Sequence, residues 1–396
     1  MDERHAGGRQ VGIDVLRAVA ALLVVLTHTT LSFSDLPTWT HPIGWLFGFG
    51  GTGVSLFLVI SGYSIAGRWA DRRGPGDRFP VRAFWTRRFF RLYPTFWIAA
   101  VLSFGLLVAA DGWHATAHRP RPWLWVGGQV PWPVQVLGYL TVVTANIVPL
   151  AHMGRAWSLA LEEQLYALFT LVQVRWPRSL TPVRMLWGGV AVDVGFRLLV
   201  FLSRPAWGAP SSSPVSTREE FVFFQVPALV TAWLAGWVVA EARKGTIVLP
   251  SWARSRAVGL GLFVLGVLLH HWGGPVLALP AGRTLAPTDV VLDLVVVGAF
   301  LVLVAACGLD DKHLAPARAT AVLAWIGTWA YSLYLMHPPV LRLVDQRFGL
   351  PTLPRVLVGW SLSLLVSWLL WITVEKRWVA RASQVGRPPK AEAFPG

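Results

Sequence analysis

Eleven apolar stretches, each approaching or reaching the length that crosses a bilayer, constrain this chain more than any other feature. They run over about 12–33, 43–66, 90–110, 134–150, 156–176, 184–203, 221–240, 257–272, 288–307, 319–342 and 355–378. About 20 apolar residues in a helix cross the roughly 30 Å hydrocarbon layer, where backbone polar groups must be satisfied internally. The chain is therefore expected to be all-α, a polytopic transmembrane helix bundle with the lipid bilayer as its first partner. A composition of 54% hydrophobic and 14% charged residues agrees. The first stretch holds charge and lacks a small-residue exit motif, so it reads as a retained helix and not a cleaved signal. The single cysteine, Cys307, leaves no intrachain disulfide and no thiolate metal cluster.

A net charge of +15 raises nucleic-acid binding, but no basic soluble domain exists to carry it. Basic residues in a membrane protein concentrate in cytoplasmic loops, and that bias sets the orientation here. If the amino terminus is cytoplasmic and 134–150 enters without crossing, 24 Lys and Arg lie inside and nine outside. If 134–150 crosses, the split is 17 to 16 and the bias vanishes. The expectation is about ten spans, with both termini cytoplasmic. Asn146 and Pro149 interrupt 134–150, which then becomes a re-entrant or interfacial segment. The corresponding division is a tail of residues 1–11, a membrane domain of 12–378 and a second tail of 379–396. Arg-heavy, Lys-poor usage points to a GC-rich bacterial genome, hence to a bacterial plasma membrane.

Arg17 and His28 stand inside the first stretch. Eleven helical steps bring them to within roughly 20° of one face and roughly 16 Å apart along the axis. Ionisable groups at membrane depth are costly and need partners or a wet cavity. On this topology Arg17 lies near the cytoplasmic face and His28 in the outer half.

Several segments taken together resemble one family. Asp14-Val15-Leu16-Arg17 through His28 resembles the arginine, ten residues, histidine motif of the acyltransferase-3 family of integral-membrane acyltransferases. Gly53–Tyr63 resembles that family's second helix, and Arg88-Phe89-Phe90-Arg91 resembles its R-x-x-R motif. Trp157-Ser158-Leu159 with Glu162-Glu163-Gln164-Leu165-Tyr166 resembles its W-S-L-x-x-E-x-Q-F-Y stretch, with Leu165 where Phe is usual. Tyr331–Pro339 and Val374-Glu375-Lys376 resemble its last two helices. Residues 183–320 match mainly as hydrophobic helices.

The resemblance implies transfer of an acyl group from cytoplasmic acyl-coenzyme A, acetyl-coenzyme A being the ordinary donor, to a hydroxyl of a carbohydrate or glycosylated acceptor. The donor is a co-substrate; no permanently bound cofactor and no metal are expected. Many relatives carry an extracytoplasmic hydrolase-like domain that is not expected in the short tail here, so a separate extracytoplasmic partner would take its place or transfer would finish in the membrane domain.

His28 is then the candidate general base. A neutral imidazole, whose ordinary pKa is near 6.5, takes a proton from the acceptor hydroxyl as it attacks the thioester carbonyl. The alternative is a histidine satisfied by Thr27 or Thr29. Arg17 either holds donor oxygen or pairs with Asp14 at i,i+3 spacing. Arg88 and Arg91 share a helix face and suit the phosphates of coenzyme A, whereas Arg87 reads as a lipid headgroup contact. Trp157, Ser158, Glu162 and Glu163 join the substrate-binding candidates; adjacent glutamates point about 100° apart, and the sequence leaves open which faces inward. His337 is placed at the depth of His28, on the acceptor side or merely before a proline kink.

Other signals read as structural. Gly48–Gly53 resembles a phosphate loop but sits in an apolar stretch and suits close helix packing. His270-His271 has no metal-ligand spacing, and Asp193 with Arg197 reads as an i,i+4 structural pair. A carrier or flippase for a glycosylated or acylated lipid is the competing reading.

Overall fold

A computed structural model describes residues 10–33, 51–74, 76–112, 140–141, 156–176, 181–203, 225–276, 287–309 and 318–385. Among these residues the chain is helical. The helices are α1 (Val11–Ser32), α2 (Gly51–Ala70), α3 (Val81–Asp111), α4 (Trp157–Arg175), α5 (Pro182–Ser203) and α6 (Val230–Lys244). They continue with α7 (Arg256–Val276), α8 (Pro287–Leu309), α9 (Arg318–Thr328), α10 (Ala330–Arg347), α11 (Thr352–Leu370) and α12 (Lys376–Gln384). Four segments are individually long and apolar enough to cross a membrane: Val11–Thr29, Val81–Asp111, Val290–Leu309 and Thr352–Gln384. The pair α9–α10 supplies a fifth if it is one broken span. Ten spans remain the expectation drawn from loop charge. The proposed re-entrant segment 134–150 lies outside the described residues apart from Leu140 and Thr141.

The stretch 319–342, expected as one span, is bent by 78° between α9 and α10. Trp329 leaves helical geometry there, with φ −121° and ψ 22°. Packing explains the break. Gly327 brings α9 onto α1 so closely that a Cβ would lie 1.8 Å from the Asp14 carbonyl oxygen. A new helix start leaves orphan amides, and the Ser332 N–H donates to Glu375 Oε2 at 3.2 Å. The Ser332 hydroxyl donates to the same oxygen at 2.6 Å.

Small residues also let α2 and α6 meet backbone to backbone. A Cβ on Gly62 would fall 2.0 Å from the Trp233 carbonyl oxygen, and one on Gly236 would fall 1.9 Å from that of Val59. This is how membrane helices gain dispersion contact without a hydrophobic drive between them. Gly53 likewise packs on α1, where its Cβ would lie 2.6 Å from Ala20 O, so this part of the glycine run packs helices.

The last helix continues beyond residue 378, where the sequence placed the tail. A π turn at Trp371–Glu375 links α11 to α12, which runs to Gln384. Trp378 stacks on Phe90 of α3 at 5.7 Å, and the Arg381 guanidinium lies over the same Phe90 ring at 5.2 Å.

On α5, Arg197 donates from Nε to Asp193 Oδ1 at 2.6 Å and from Nη2 to Ala228 O at 2.8 Å. Its Nη1 pairs with Asp293 Oδ2 at 2.5 Å, so α5 is tied to α8. The structural reading of the Asp193–Arg197 pair thus gains a third member that sequence spacing did not reveal.

Candidate active site

Between α1, α2, α3, α4 and α10 lies a cavity of about 130 Å³. Five of the residues singled out in the sequence line it: Arg17, Arg88, Arg91, Ser158 and Glu162. They come from three helices, α1, α3 and α4, so the cavity exists only once the bundle is packed.

Arg17 makes the expected pair with Asp14 and also lines the cavity. Its Nη1 donates to Asp14 Oδ1 at 2.8 Å, and its Nη2 donates to Ser64 Oγ at 2.9 Å while the side chain lines the cavity. Arg91 lies within electrostatic reach of Arg17 and of Glu375. Arg88 is buried, with its guanidinium 5.8 Å from the Phe84 ring and 5.6 Å from the Tyr166 ring. Three arginines therefore share a small cavity with the carboxylates of Glu162 and Glu375.

The two glutamates of α4 separate as their helical spacing requires. Glu162 faces the cavity and accepts from the Ser61 hydroxyl. Glu163 turns away, is buried, and accepts from the Tyr93 hydroxyl at 2.8 Å. Trp157 also stands off the cavity, half-buried against the hydrophobic core. Neither Glu163 nor Trp157 lines this cavity.

His28 and His337 meet each other, not the cavity lining. His337 Nε2 lies 3.1 Å from His28 Nδ1, and the rings are edge-on with centroids 4.9 Å apart. Each imidazole also reaches back one helical turn. His28 Nδ1 is 2.7 Å from Val24 O, and His337 Nδ1 is 2.8 Å from Leu333 O. A carbonyl oxygen only accepts, so both Nδ1 atoms carry hydrogen. Neutral His337 then accepts at Nε2 from His28 Nδ1–H, which is shared with Val24 O. This places the basic lone pair of neutral His28 on Nε2. Thr29, offered as a partner for His28, instead donates to Val25 O at 2.9 Å and accepts from Trp360 Nε1 at 2.8 Å. Tyr334 connects the two regions: its ring lies 6.2 Å from His337, and its hydroxyl is 2.5 Å from Ser158 Oγ beside the cavity.

A family model for an acyltransferase domain matches residues 10–372. The chain belongs to the acyltransferase-3 family. Within that family it is 28% identical to acyltransferase MdmB of Streptomyces mycarofaciens over 348 residues, covering 84% of this chain and 79% of MdmB. It is 27% identical over 390 residues to the putative membrane-bound transacylase BcsY of Komagataeibacter xylinus, covering 83% and 92% of the two chains. O-acetyltransferase OatA of Staphylococcus aureus is 31% identical over 170 residues, which is 41% of this chain and 24% of OatA. No solved structure matches the chain. Membership makes this a membrane acyltransferase.

The family's sequence signals overlooked several cavity residues. Ser61, Ser64, Tyr331 and Glu375 all line it. Tyr331 and Glu375 stand within matched motifs, yet a motif does not say which of its members faces inward. The π turn that presents Glu375 has no sequence signature. Arg87 is a correction: expected at lipid headgroups, it is buried and lines a second cavity, with Nη1 donating to Val385 O at 3.4 Å.

Proposed function

We propose that this protein is an integral-membrane O-acyltransferase that moves an acyl group from cytoplasmic acyl-coenzyme A to a hydroxyl of a carbohydrate or glycosylated acceptor. The observation that carries the reading is the oriented His28–His337 pair, one aromatic residue beyond a cavity holding three arginines. Acyltransferase and O-acetyltransferase relatives support the reaction class. Arg88 and Arg91 carry fixed positive charge suited to donor phosphate oxygens, and Arg17 lies farther along α1 toward His28. His28 Nε2 removes the acceptor hydroxyl proton as the oxygen attacks the thioester carbon. Collapse of the tetrahedral species expels coenzyme A as its thiolate, and the proton held on His28 passes to that thiolate. His337 holds His28 in the tautomer that leaves Nε2 basic.

The test uses the purified full chain in lipid nanodiscs with radiolabelled acetyl-coenzyme A and glycan extracts as acceptor. Label should enter a hydroxylamine-sensitive ester, and His28→Ala should abolish this at unchanged protein abundance. Wild-type label transfer by the His28→Ala protein would falsify the catalytic assignment. Movement of an intact glycolipid without label transfer would instead favour a carrier.

A further inference from the structure

Next to the inner cavity lies a second one of about 250 Å³, between the end of α2, the connection to α3 and the first turns of α3. Arg68, Arg72, Arg87 and Arg88 line it, and among the described residues no carboxylate does. The Arg68 guanidinium lies within electrostatic reach of four like charges, Arg88, Arg91, Arg87 and Arg72. The nearby acidic groups are engaged elsewhere. Asp71 pairs with Arg243, while Glu162 and Glu375 face the inner cavity. Arg88 is 8% exposed, and its Nε is buried with no hydrogen-bond partner among the described residues. A buried guanidinium nitrogen lacking an acceptor is costly, and one more like charge beside it adds to the cost. The arrangement calls for an anion with several acceptor oxygens.

Ile65 and Arg88 line both cavities, so a ligand in the outer one has a continuation into the inner one. We propose that the outer cavity is a phosphate site that holds the nucleotide-phosphate end of the acyl donor, with Arg68, Arg72 and Arg87 as its anion ligands and Arg88 at the junction. The thioester arm then runs past Arg88 toward Arg17. This rests on the phosphate-bearing thioester donor proposed above. Arginine suits a phosphomonoester, because its planar fork offers two parallel N–H donors to two phosphate oxygens. Lipid headgroups offer the same phosphate chemistry, and the experiment separates the two sources.

The full chain, in nanodiscs of zwitterionic phosphatidylcholine, is titrated with coenzyme A, 3′-dephospho-coenzyme A and adenosine 3′,5′-bisphosphate. One lost charge-assisted phosphate contact should cost about tenfold or more in affinity. Coenzyme A is expected to bind at least about tenfold tighter than its dephospho form. In the Arg68→Gln, Arg72→Gln double variant that ratio should fall to near one, whereas exposed Arg82→Gln should keep it. Thermal melting of each variant establishes that it is folded. A ratio of one in the unmodified protein, or an undiminished ratio in the double variant, overturns the proposal. If coenzyme A fails to bind but the bisphosphate binds through Arg68 and Arg72, the phosphate site stands and the donor reading falls. If neither binds, yet phosphatidylglycerol co-purifies in an Arg68- and Arg72-dependent manner, the cavity serves headgroups and the proposal is wrong. Binding of none of the three overturns it as well.

Discussion

His337 Nε2 lies 3.1 Å from His28 Nδ1, across 309 residues of sequence. With both Nδ1 atoms committed to main-chain carbonyls, the contact is directional: His28 donates and His337 accepts. Replacing His337 by Phe keeps a ring of similar width but removes the acceptor. The expected result is a fall in kcat of about ten- to a hundredfold with donor KM unchanged, because nothing in the donor cavity moves. Steady-state kinetics over a range of acetyl-coenzyme A concentrations checks this. A rise in KM at constant kcat would show that His337 binds substrate and does not position His28.

His28 itself should behave as a residue required for chemistry. His28→Asn keeps a polar side chain in the same helix and should lower transfer by about a hundredfold or more, the usual range for a lost general base. Coenzyme A affinity, measured separately by titration, should stay within about twofold.

Much of the bundle was legible because apolar length is a property of local sequence. The stretch read as 156–176 is α4, and that read as 288–307 is α8. The 78° bend at Trp329 was not legible. It arises from Gly327 meeting Asp14, a contact across more than three hundred residues that no local pattern records. The site divides the same way. Arg17 and His28 declare themselves through cost, since charge at depth is rare. Glu375 stood within a recognisable motif but owes its position to a π turn and its role to a helix start created by that bend. Periodicity did establish that only one of Glu162 and Glu163 faces the cavity, and the packing of α4 on α2 decided which.

Glu375 should prove structural as well as cavity-lining. Its carboxylate satisfies the Ser332 amide in the first turn of α10, a position where a negative group also complements the helix dipole. Glu375→Gln retains an acceptor and should cost little. Glu375→Leu strands that buried amide and should lower stability by about 1–3 kcal/mol. Thermal unfolding in detergent distinguishes the two, and equal midpoints would contradict the capping role.

Arg197 offers the sharper stability test. Both its own side chain and Asp193 are buried, and removing one partner from a buried pair leaves an uncompensated charge. Arg197→Leu should destabilise by about 3–5 kcal/mol, and adding Asp193→Asn should recover part of that loss. Acyl transfer per folded molecule should be unchanged, since Arg197 does not line the inner cavity. No recovery in the double variant would mean that the Arg197 contact with Ala228 O or Asp293 dominates.

Adjacent glutamates with opposite surroundings provide the last prediction. Glu162 lines the cavity and is held by the Ser61 hydroxyl, so Glu162→Ala changes the charge seen by anything bound beside Arg88 and Arg91. Its effect should appear in transfer kinetics, about tenfold or more, with the unfolding midpoint nearly unchanged. Glu163 is buried against Tyr93, so Glu163→Ala removes one of the two acceptors of that half-buried hydroxyl, Thr141 O being the other, and opens space in the core. That loss should appear as about 1–3 kcal/mol of stability, with smaller effects on transfer by the molecules that remain folded. Tyr93→Phe deletes the Glu163 hydrogen bond together with the hydroxyl's contact to Thr141 O, and because the two variants share the first of these their effects should be less than additive. Kinetics and unfolding measured on all three variants decide the matter. If Glu163→Ala abolished transfer while leaving stability intact, the inward-facing carboxylate would have been assigned to the wrong residue.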